Sequence, residues 1–433
     1  MMQMRKKHKR PWGVFLAIIL AILFGSFVGK EAGLFGVSFY SVFDIVGTIF
    51  LNALTLVVVP LVSSSIISGI AKIGGEGGFG RLGAKMFTFY IGTSLIAILI
   101  GLLFVNLIGP GHSQIAPVIN AADTAQLGHL KAKGISTEGQ TLIGVLISIV
   151  PSNILSAFAK GEMLGLIFFS LIFGYAITKV ESHAAGILKG FFQGIFQAMI
   201  HFTHIIMKFL PYGVFCLVAK VFMVSGMGSL QSVGLFTLTA LLGLGVFMFI
   251  ALPLLLKYVG KVKPIRHFKA MFPALVTAFS TSSSSATLPV TIDCVEKRAG
   301  VSNRICSLVV PLGTSINMSG SALYECVAAM FIAQVYGISL SFSTQFLVVL
   351  MALITSIGVA GIPSASLVAI LIILRVIGLP LEGIGLFIAV DRLLDMCRTT
   401  VNVFSDSCCA ILVARTEGED QVLATDNFES MER

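Results

Sequence analysis

Charge is what this 433-residue chain has least of. Only 11% of its residues are Asp, Glu, Lys or Arg, against roughly 25% in a soluble domain. That shortage leaves too little solvated surface for an ordinary cytosolic enzyme. The 56% hydrophobic content excludes a disordered chain. A nucleic-acid binder is excluded as well: the 29 Lys+Arg exceed the 20 Asp+Glu, but they stand between long apolar runs, the pattern that orients membrane spans. Cysteine is sparse, with seven residues and no Cys-x-x-Cys pair, and most of these lie in apolar stretches. They read as small buried hydrophobes rather than a disulfide framework or metal site. What the chain does have is a mean hydropathy of +0.98 and 44 glycines, which suit close helix packing in lipid. It reads as an all-α polytopic membrane protein.

The N-terminal run Arg5-Lys6-Lys7-His8-Lys9-Arg10 leads into an apolar stretch from Trp12 to Val28 with no small-residue cleavage site. This is a retained first span rather than a signal peptide. At about 20 apolar residues per crossing, eight spans fall near 12–29, 45–71, 86–109, 141–178, 186–207, 212–256, 305–334 and 383–414. The basic loops then share one side, placed in the cytoplasm with both termini, and the membrane is the cell membrane.

Two apolar segments break the alternation. Ala270 to Thr291 has basic clusters at both ends, so one crossing would put a cluster on the wrong side, and it is too short for two. A re-entrant hairpin from the cytoplasm, with its tip in Thr281-Ser282-Ser283-Ser284-Ser285, satisfies both constraints. Residues 344–378 are interrupted by Ser356-Ile357-Gly358-Val359-Ala360-Gly361-Ile362-Pro363. A second hairpin, entering from outside, keeps the last span running inward. A hairpin followed by a span, twice and with opposite entry sides, is the signature of inverted repeats around a midplane site. Arg375, near an outer boundary, sits awkwardly in this scheme.

The last span carries Asp391, Arg392, Asp395, Arg398 and Asp406. Five such charges at the bilayer centre would oppose insertion by roughly 12–17 kcal/mol, so they must face protein or water. At about 100° per residue, Asp391, Asp395, Arg398, Asn402 and Asp406 form one stripe about 80° wide. The stripe admits two readings. One is a structural ion-pair network. The other is a binding stripe in which Asp395 accepts an ammonium, Arg398 forks onto a carboxylate, and Asp406 with the amide oxygen of Asn402 offers hard ligands to a small cation. The preceding span adds Asn317-Met318-Ser319-Gly320-Ser321, either a kink or an unwound patch with coordinating carbonyls. Glu325, the only charge from Ile305 through Leu374, is a proton-carrier candidate or one half of a permanent ion pair.

At Thr281-Ser282-Ser283-Ser284-Ser285-Ala286-Thr287-Leu288-Pro289, Asn317 through Glu325, Gly361-Ile362-Pro363 and Asp391 through Asp406, the chain resembles the dicarboxylate/amino acid:cation symporter family, which includes the glutamate transporters. The order and spacing of all four strings match, and the resemblance extends over residues 12–415. It implies a homotrimer of eight spans plus two hairpins, transporting acidic amino acids by an elevator movement. A scaffold (11–83 and 140–208) would hold a mobile transport domain (84–110 and 209–415), with an external loop at 111–139 and a cytoplasmic tail at 416–433. By position, Ser284, Ser321, Ile362, Asp395, Arg398, Thr399 and Asn402 would bind substrate. One sodium site would use Gly313, Asn317, Asn402 and Asp406, and a second Ser315, Ser356, Ile357 and Val359. Glu325 matches the acidic position that carries a proton in some branches. No cofactor is implied beyond the coupling ions Na+ and/or H+.

The chain departs from the family pattern where Ser319 replaces an aspartate, which removes the charge from a third sodium site at Tyr90, Thr93 and Ser94. A second arginine, common in the family, is absent from the two positions occupied here by Ser282 and Met396. Other functions compete: a neutral amino-acid or C4-dicarboxylate carrier of the same fold, an uncoupled channel, or an intramembrane hydrolase using the serine run. The hydrolase lacks a nearby base, because His201 and His204 lie on a distant span and His267 at the cytoplasmic edge.

Overall fold

The computed structural model describes residues 12–28, 32–34, 37–73, 80–112, 150–160, 163–225, 228–358 and 366–423. Nearly all of them are helical. Helix α1 (Trp12–Phe27) leads through a two-residue antiparallel ladder, β1 (Gly33–Leu34) and β2 (Val37–Ser38), into α2 (Phe39–Ile73). Then come α3 (Gly80–Ile108), α4 (Ile154–Lys160), α5 (Met163–Ile177), α6 (Ser182–Met207) and α7 (Leu210–Ser225). Helix α8 (Gly228–Val246) runs through a π-turn at Phe247–Ala251 into α9 (Leu252–Tyr258). Three helical stretches are long and apolar enough to cross a membrane by themselves: Arg81–Ile108, Gln231–Tyr258 and Asn303–Val335.

The expected spans at 186–207 and 212–256 divide differently in the structure. Between α6 and α7 the chain does not turn back: Lys208 stays in the right-handed helical region, and Lys208 N–H and Phe209 N–H bond Ile205 and Ile206 carbonyls. Pro211, which has no N–H to give, accounts for the two-residue hitch. Helix α7 therefore extends α6. It packs against α1 and α2, where Gly25 approaches so closely that a Cβ there would lie 2.7 Å from the Ala219 carbonyl oxygen. Lys220 of α7 pairs with Asp44 of α2 at 2.5 Å.

A helix–turn–helix stands where the first hairpin is expected. Helix α10 (Pro264–Thr281) and α11 (Ser284–Asp293) pack on each other and on the last helix. Ser282 turns the chain with φ of 51°, a conformation uncommon outside glycine. Ser283 caps α11, its hydroxyl accepting the Ala286 N–H at 3.2 Å, which satisfies one of the orphan donors of a helix start. After a π-turn at Cys294–Arg298, α12 (Asn303–Ile316) and α13 (Ser319–Val335) form one interrupted helix, broken at Asn317–Met318. Helix α13 is buried all round and runs along α3.

Helices α14 (Phe342–Gly358) and α15 (Ser366–Ile377) pack on each other where the second hairpin is expected. Its tip, with Val359 and Gly361-Ile362-Pro363, lies outside the described residues. Arg375 proves to be in the last turn of α15 and exposed. The last helix, α16 (Ile384–Thr416), has 33 residues and so spans about 50 Å. It touches α3, α7, α8 and α10–α13, which is why its polar stripe can be covered on every side.

Residues 417–423, which follow α16 and include Glu417, Glu419 and Asp420, are not wholly solvated. Val422 and Leu423 are buried. The Leu423 N–H donates to the Ala299 carbonyl at 3.0 Å, and Arg266 donates to the Leu423 carbonyl at 3.0 Å. Glu419 accepts the Ser302 N–H at 3.0 Å. Residues 417–423 thus strap both arms of the first hairpin to the end of α16. Gly418, at φ of 93°, is what lets the chain leave the helix in that direction.

Candidate functional site

The stripe on α16 faces inward as one buried file. Asp391, Asp395, Arg398, Thr399, Asn402 and Asp406 are all buried, and Arg398 is 0% exposed. Arg398 Nη1 donates to Asp391 Oδ1 at 3.1 Å and Nη2 to Asp395 Oδ1 at 2.8 Å. Its guanidinium lies 3.9 Å from the Tyr324 ring centroid, a cation–π stack. Tyr324 itself donates to Asp391 Oδ1 at 3.1 Å and is backed by Phe236 and Phe387. The stripe is therefore an ion-pair network in this conformation, and one that positions a carboxylate-reading fork over an aromatic floor.

Below it, the break at Asn317–Met318 ends the helical ladder of α12: the Gly313 carbonyl still accepts the Asn317 N–H at 2.9 Å, and the carbonyls after it have no continuing helix to bond. Asp406 points into this break. Its Oδ1 accepts from Asn317 Nδ2 at 2.9 Å, while Oδ2 is buried with no hydrogen-bond partner. At Gly313 a Cβ would lie 2.6 Å from Asp406 Oδ1, so only glycine lets the α12 backbone come this close. An unpartnered carboxylate oxygen beside backbone carbonyls is a donor set suited to a small hard cation.

Asn402 behaves differently from the sequence expectation. Its amide oxygen accepts the Gly320 N–H at 2.8 Å and the Ser321 N–H at 3.4 Å, capping the start of α13 instead of facing Asp406. Its Nδ2 donates to Ser321 Oγ at 3.1 Å. Asn402 and Ser321 are thus brought together, but an ion contact from Asn402 would have to come from its main-chain carbonyl.

Around Asn317 the hydroxyls close on one another. Thr93 donates to Asn317 Oδ1 at 3.1 Å and Ser319 donates to it at 2.9 Å. Ser319 also lies 3.2 Å from both Ser94 and Ser405 hydroxyls. The Tyr90 hydroxyl donates to the Val309 carbonyl. Glu325 is fully buried and accepts from Thr355 at 2.8 Å through Oε2, whereas Oε1 has no hydrogen-bond partner.

The remaining residues are less tightly joined. Ser284 is buried in the first turn of α11. Ser315 and Ile357 line one cavity, together with Ser65, Ser68 and Gln193 from α2 and α6. Ser356 is buried, and its hydroxyl turns back to the Leu353 carbonyl at 2.8 Å. Ile362 and Val359 lie outside the described residues. His267 bonds Ser407 through Nε2 at 2.9 Å, not the serine run of the hairpin tip. Sequence reasoning missed Tyr324 as the platform for Arg398; its place in the helix, six residues after Met318, was the available signal.

The family model for the sodium:dicarboxylate symporter family matches residues 12–416. The chain belongs to that family. Among its relatives is the proton/sodium-glutamate symport protein of Bacillus caldotenax, 34% identical over 415 residues, covering 96% of each chain. The proton/glutamate-aspartate symporter of Escherichia coli K12 is 33% identical over 411 residues, covering 95% of this chain and 93% of the relative. The excitatory amino acid transporter 3 of mouse is 35% identical, covering 90% of this chain and 82% of its own. All three are transport proteins by name. This family member carries the charged file of α16 and the broken α12–α13 helix inside the matched residues.

Proposed function

We infer that the protein is a secondary-active symporter that moves acidic amino acids, glutamate or aspartate, across the cell membrane together with sodium, protons or both. The observation that carries this reading is Arg398, fully buried and held by two carboxylates over the Tyr324 ring. A substrate side-chain carboxylate can take the fork from Asp391 and Asp395, while its ammonium takes over Asp395. The swap re-pairs Asp395 and leaves Asp391 on the Tyr324 hydroxyl, which matters because an unpaired buried charge is costly. The names of the glutamate-transporting relatives support the same substrate class.

In this reading Thr399, Ser321 and the hairpin tips at Ser284 and Ile362 complete the substrate pocket. One sodium ion binds at Asp406, Gly313, Asn317 and the main chain of Asn402. A second binds at Ser315, Ser356, Ile357 and Val359 beneath the outer hairpin. Glu325 carries a proton. Helices α3 and α8–α16 move as an elevator against a scaffold of α1, α2 and α4–α7, within a homotrimer whose termini are cytoplasmic. The scaffold boundary is best drawn after Ser225 rather than at 208, because α7 packs on α1 and α2.

The test is glutamate uptake into proteoliposomes with sodium and proton gradients imposed separately. Either gradient should drive accumulation; uptake indifferent to both would remove symport. Competition by alanine and by succinate separates the acidic amino-acid reading from the neutral and C4-dicarboxylate carriers. Asp395 disfavours a substrate without an ammonium group, since nothing would then replace Arg398 on its Oδ1.

A further inference from the structure

Arg392 has no part in the site as built so far. It follows Asp391 directly and stands three residues before Asp395 on α16. Its side chain is 19% exposed, and Nη1 lies 3.7 Å from Asp395 Oδ2. Asp395 Oδ1, in contrast, accepts from Arg398 Nη2 at 2.8 Å. The two oxygens of one carboxylate therefore face two different arginines. Counting Asp391, Asp395, Arg392 and Arg398, this end of the stripe holds two negative and two positive charges.

The balance matters when substrate enters. A substrate carboxylate that engages Arg398 must part it from Asp395, and until the substrate ammonium arrives Asp395 has lost its closest cation. Arg392 is positioned to stay with Asp395 throughout, on the oxygen that Arg398 does not use. We propose that Arg392 is a positioning residue for acidic substrates, holding the Asp395 carboxylate so that Arg398 can be released to the substrate. The proposal rests on the reading of Asp395 and Arg398 as substrate anchors. At 3.7 Å the contact is longer than a hydrogen bond, so it acts through charge, and another cation of similar reach can replace it. Arg398 also faces Asp395 and brings with it the Tyr324 ring and Asp391.

The experiment compares Arg392→Gln, Arg392→Lys and Arg398→Cys in full-length protein reconstituted into proteoliposomes, reading KM and Vmax for labelled glutamate. Arg392→Gln keeps part of the side-chain stem and removes the charged guanidinium. It should raise KM about tenfold, as a close partly buried charge pair can, with Vmax within about twofold of the parent. Arg392→Lys should restore KM to within about twofold. A glutamine variant with parental KM overturns the proposal. So does one whose Vmax collapses without rescue by lysine, which would make Arg392 a packing residue. Parental glutamate KM in Arg398→Cys instead overturns the anchor reading itself, a result separate from either.

Discussion

Arg398 reaches back along α16 to Asp391, donating to the same carboxylate oxygen that the Tyr324 hydroxyl donates to, each at 3.1 Å. This shared acceptor makes Arg398 answerable to two helices at once, its own and α13. Arg398→Cys should abolish glutamate and aspartate uptake while leaving room for serine or alanine. It also strands Asp391 and Asp395 in a buried site, so the single variant should lose about 3–5 kcal/mol of stability. The double variant Arg398→Cys/Asp391→Asn should recover much of that stability without recovering acidic substrates. Thermal melting alongside uptake separates the two effects.

Glu325 joins α13 to α14 through Thr355, so its protonation state bears on the contact between these two helices. The groups around it are Thr355, Ser366, Cys326 and Arg398. Glu325→Gln fixes a neutral side chain that still accepts from Thr355. Uptake driven by an imposed proton gradient should fall to background in this variant, while sodium-driven uptake persists. Proteoliposomes with one gradient at a time provide the measurement, and retained proton drive would exclude Glu325 as the carrier.

The helix–turn–helix of α10 and α11 was legible because charge marks both of its ends and serines mark its tip. The stripe on α16 was legible because five ionisable residues at helical spacing have few physical explanations. Other features had no such signal. No charge marks the sequence between α7 and α8, and the Pro211 hitch looked like a span boundary, so the sequence drew the boundary inside the continuous α6–α7 stretch. The side-chain direction of Asn402 depends on the unpaired N–H groups of Gly320 and Ser321, which a linear pattern does not reveal. Residues 417–423 look solvated by composition, yet Val422 and Leu423 bury against the hairpin loop because Gly418 redirects the chain.

Ser319 closes a ring of hydroxyls on Asn317 where relatives of this architecture are expected to hold a carboxylate. With Thr93, Ser94 and Ser405 all within 3.5 Å of its hydroxyl, the ring is satisfied without an ion. A carboxylate introduced by Ser319→Asp would face Asn317 Oδ1 at close range and need a cation to bridge them. The expected outcome is a steeper dependence of uptake on sodium, with a Hill coefficient raised toward one additional ion. Uptake measured against sodium concentration at saturating glutamate decides it, and an unchanged slope means that the ring does not become an ion site.

Glu417 holds the strap to α3: its carboxylate accepts from Lys85 at 2.5 Å and lies 3.9 Å from Arg81. The hydrogen bond from Lys85 keeps the Glu417 carboxyl below its ordinary range, with the charges of Lys85, Arg81 and Arg304 adding to the effect. A carboxyl group depressed in the folded state contributes stability above its unfolded value of about 4.3, and loses that contribution as pH falls through the lower folded value. Glu417→Gln should therefore melt earlier than the parent at neutral pH, and the difference should shrink once the pH drops below the usual carboxylate range. High salt should narrow the gap as well, since the pair is partly exposed and screened. Melting curves of both proteins across pH test this, and a gap constant with pH would mean that Glu417 acts by packing rather than by charge.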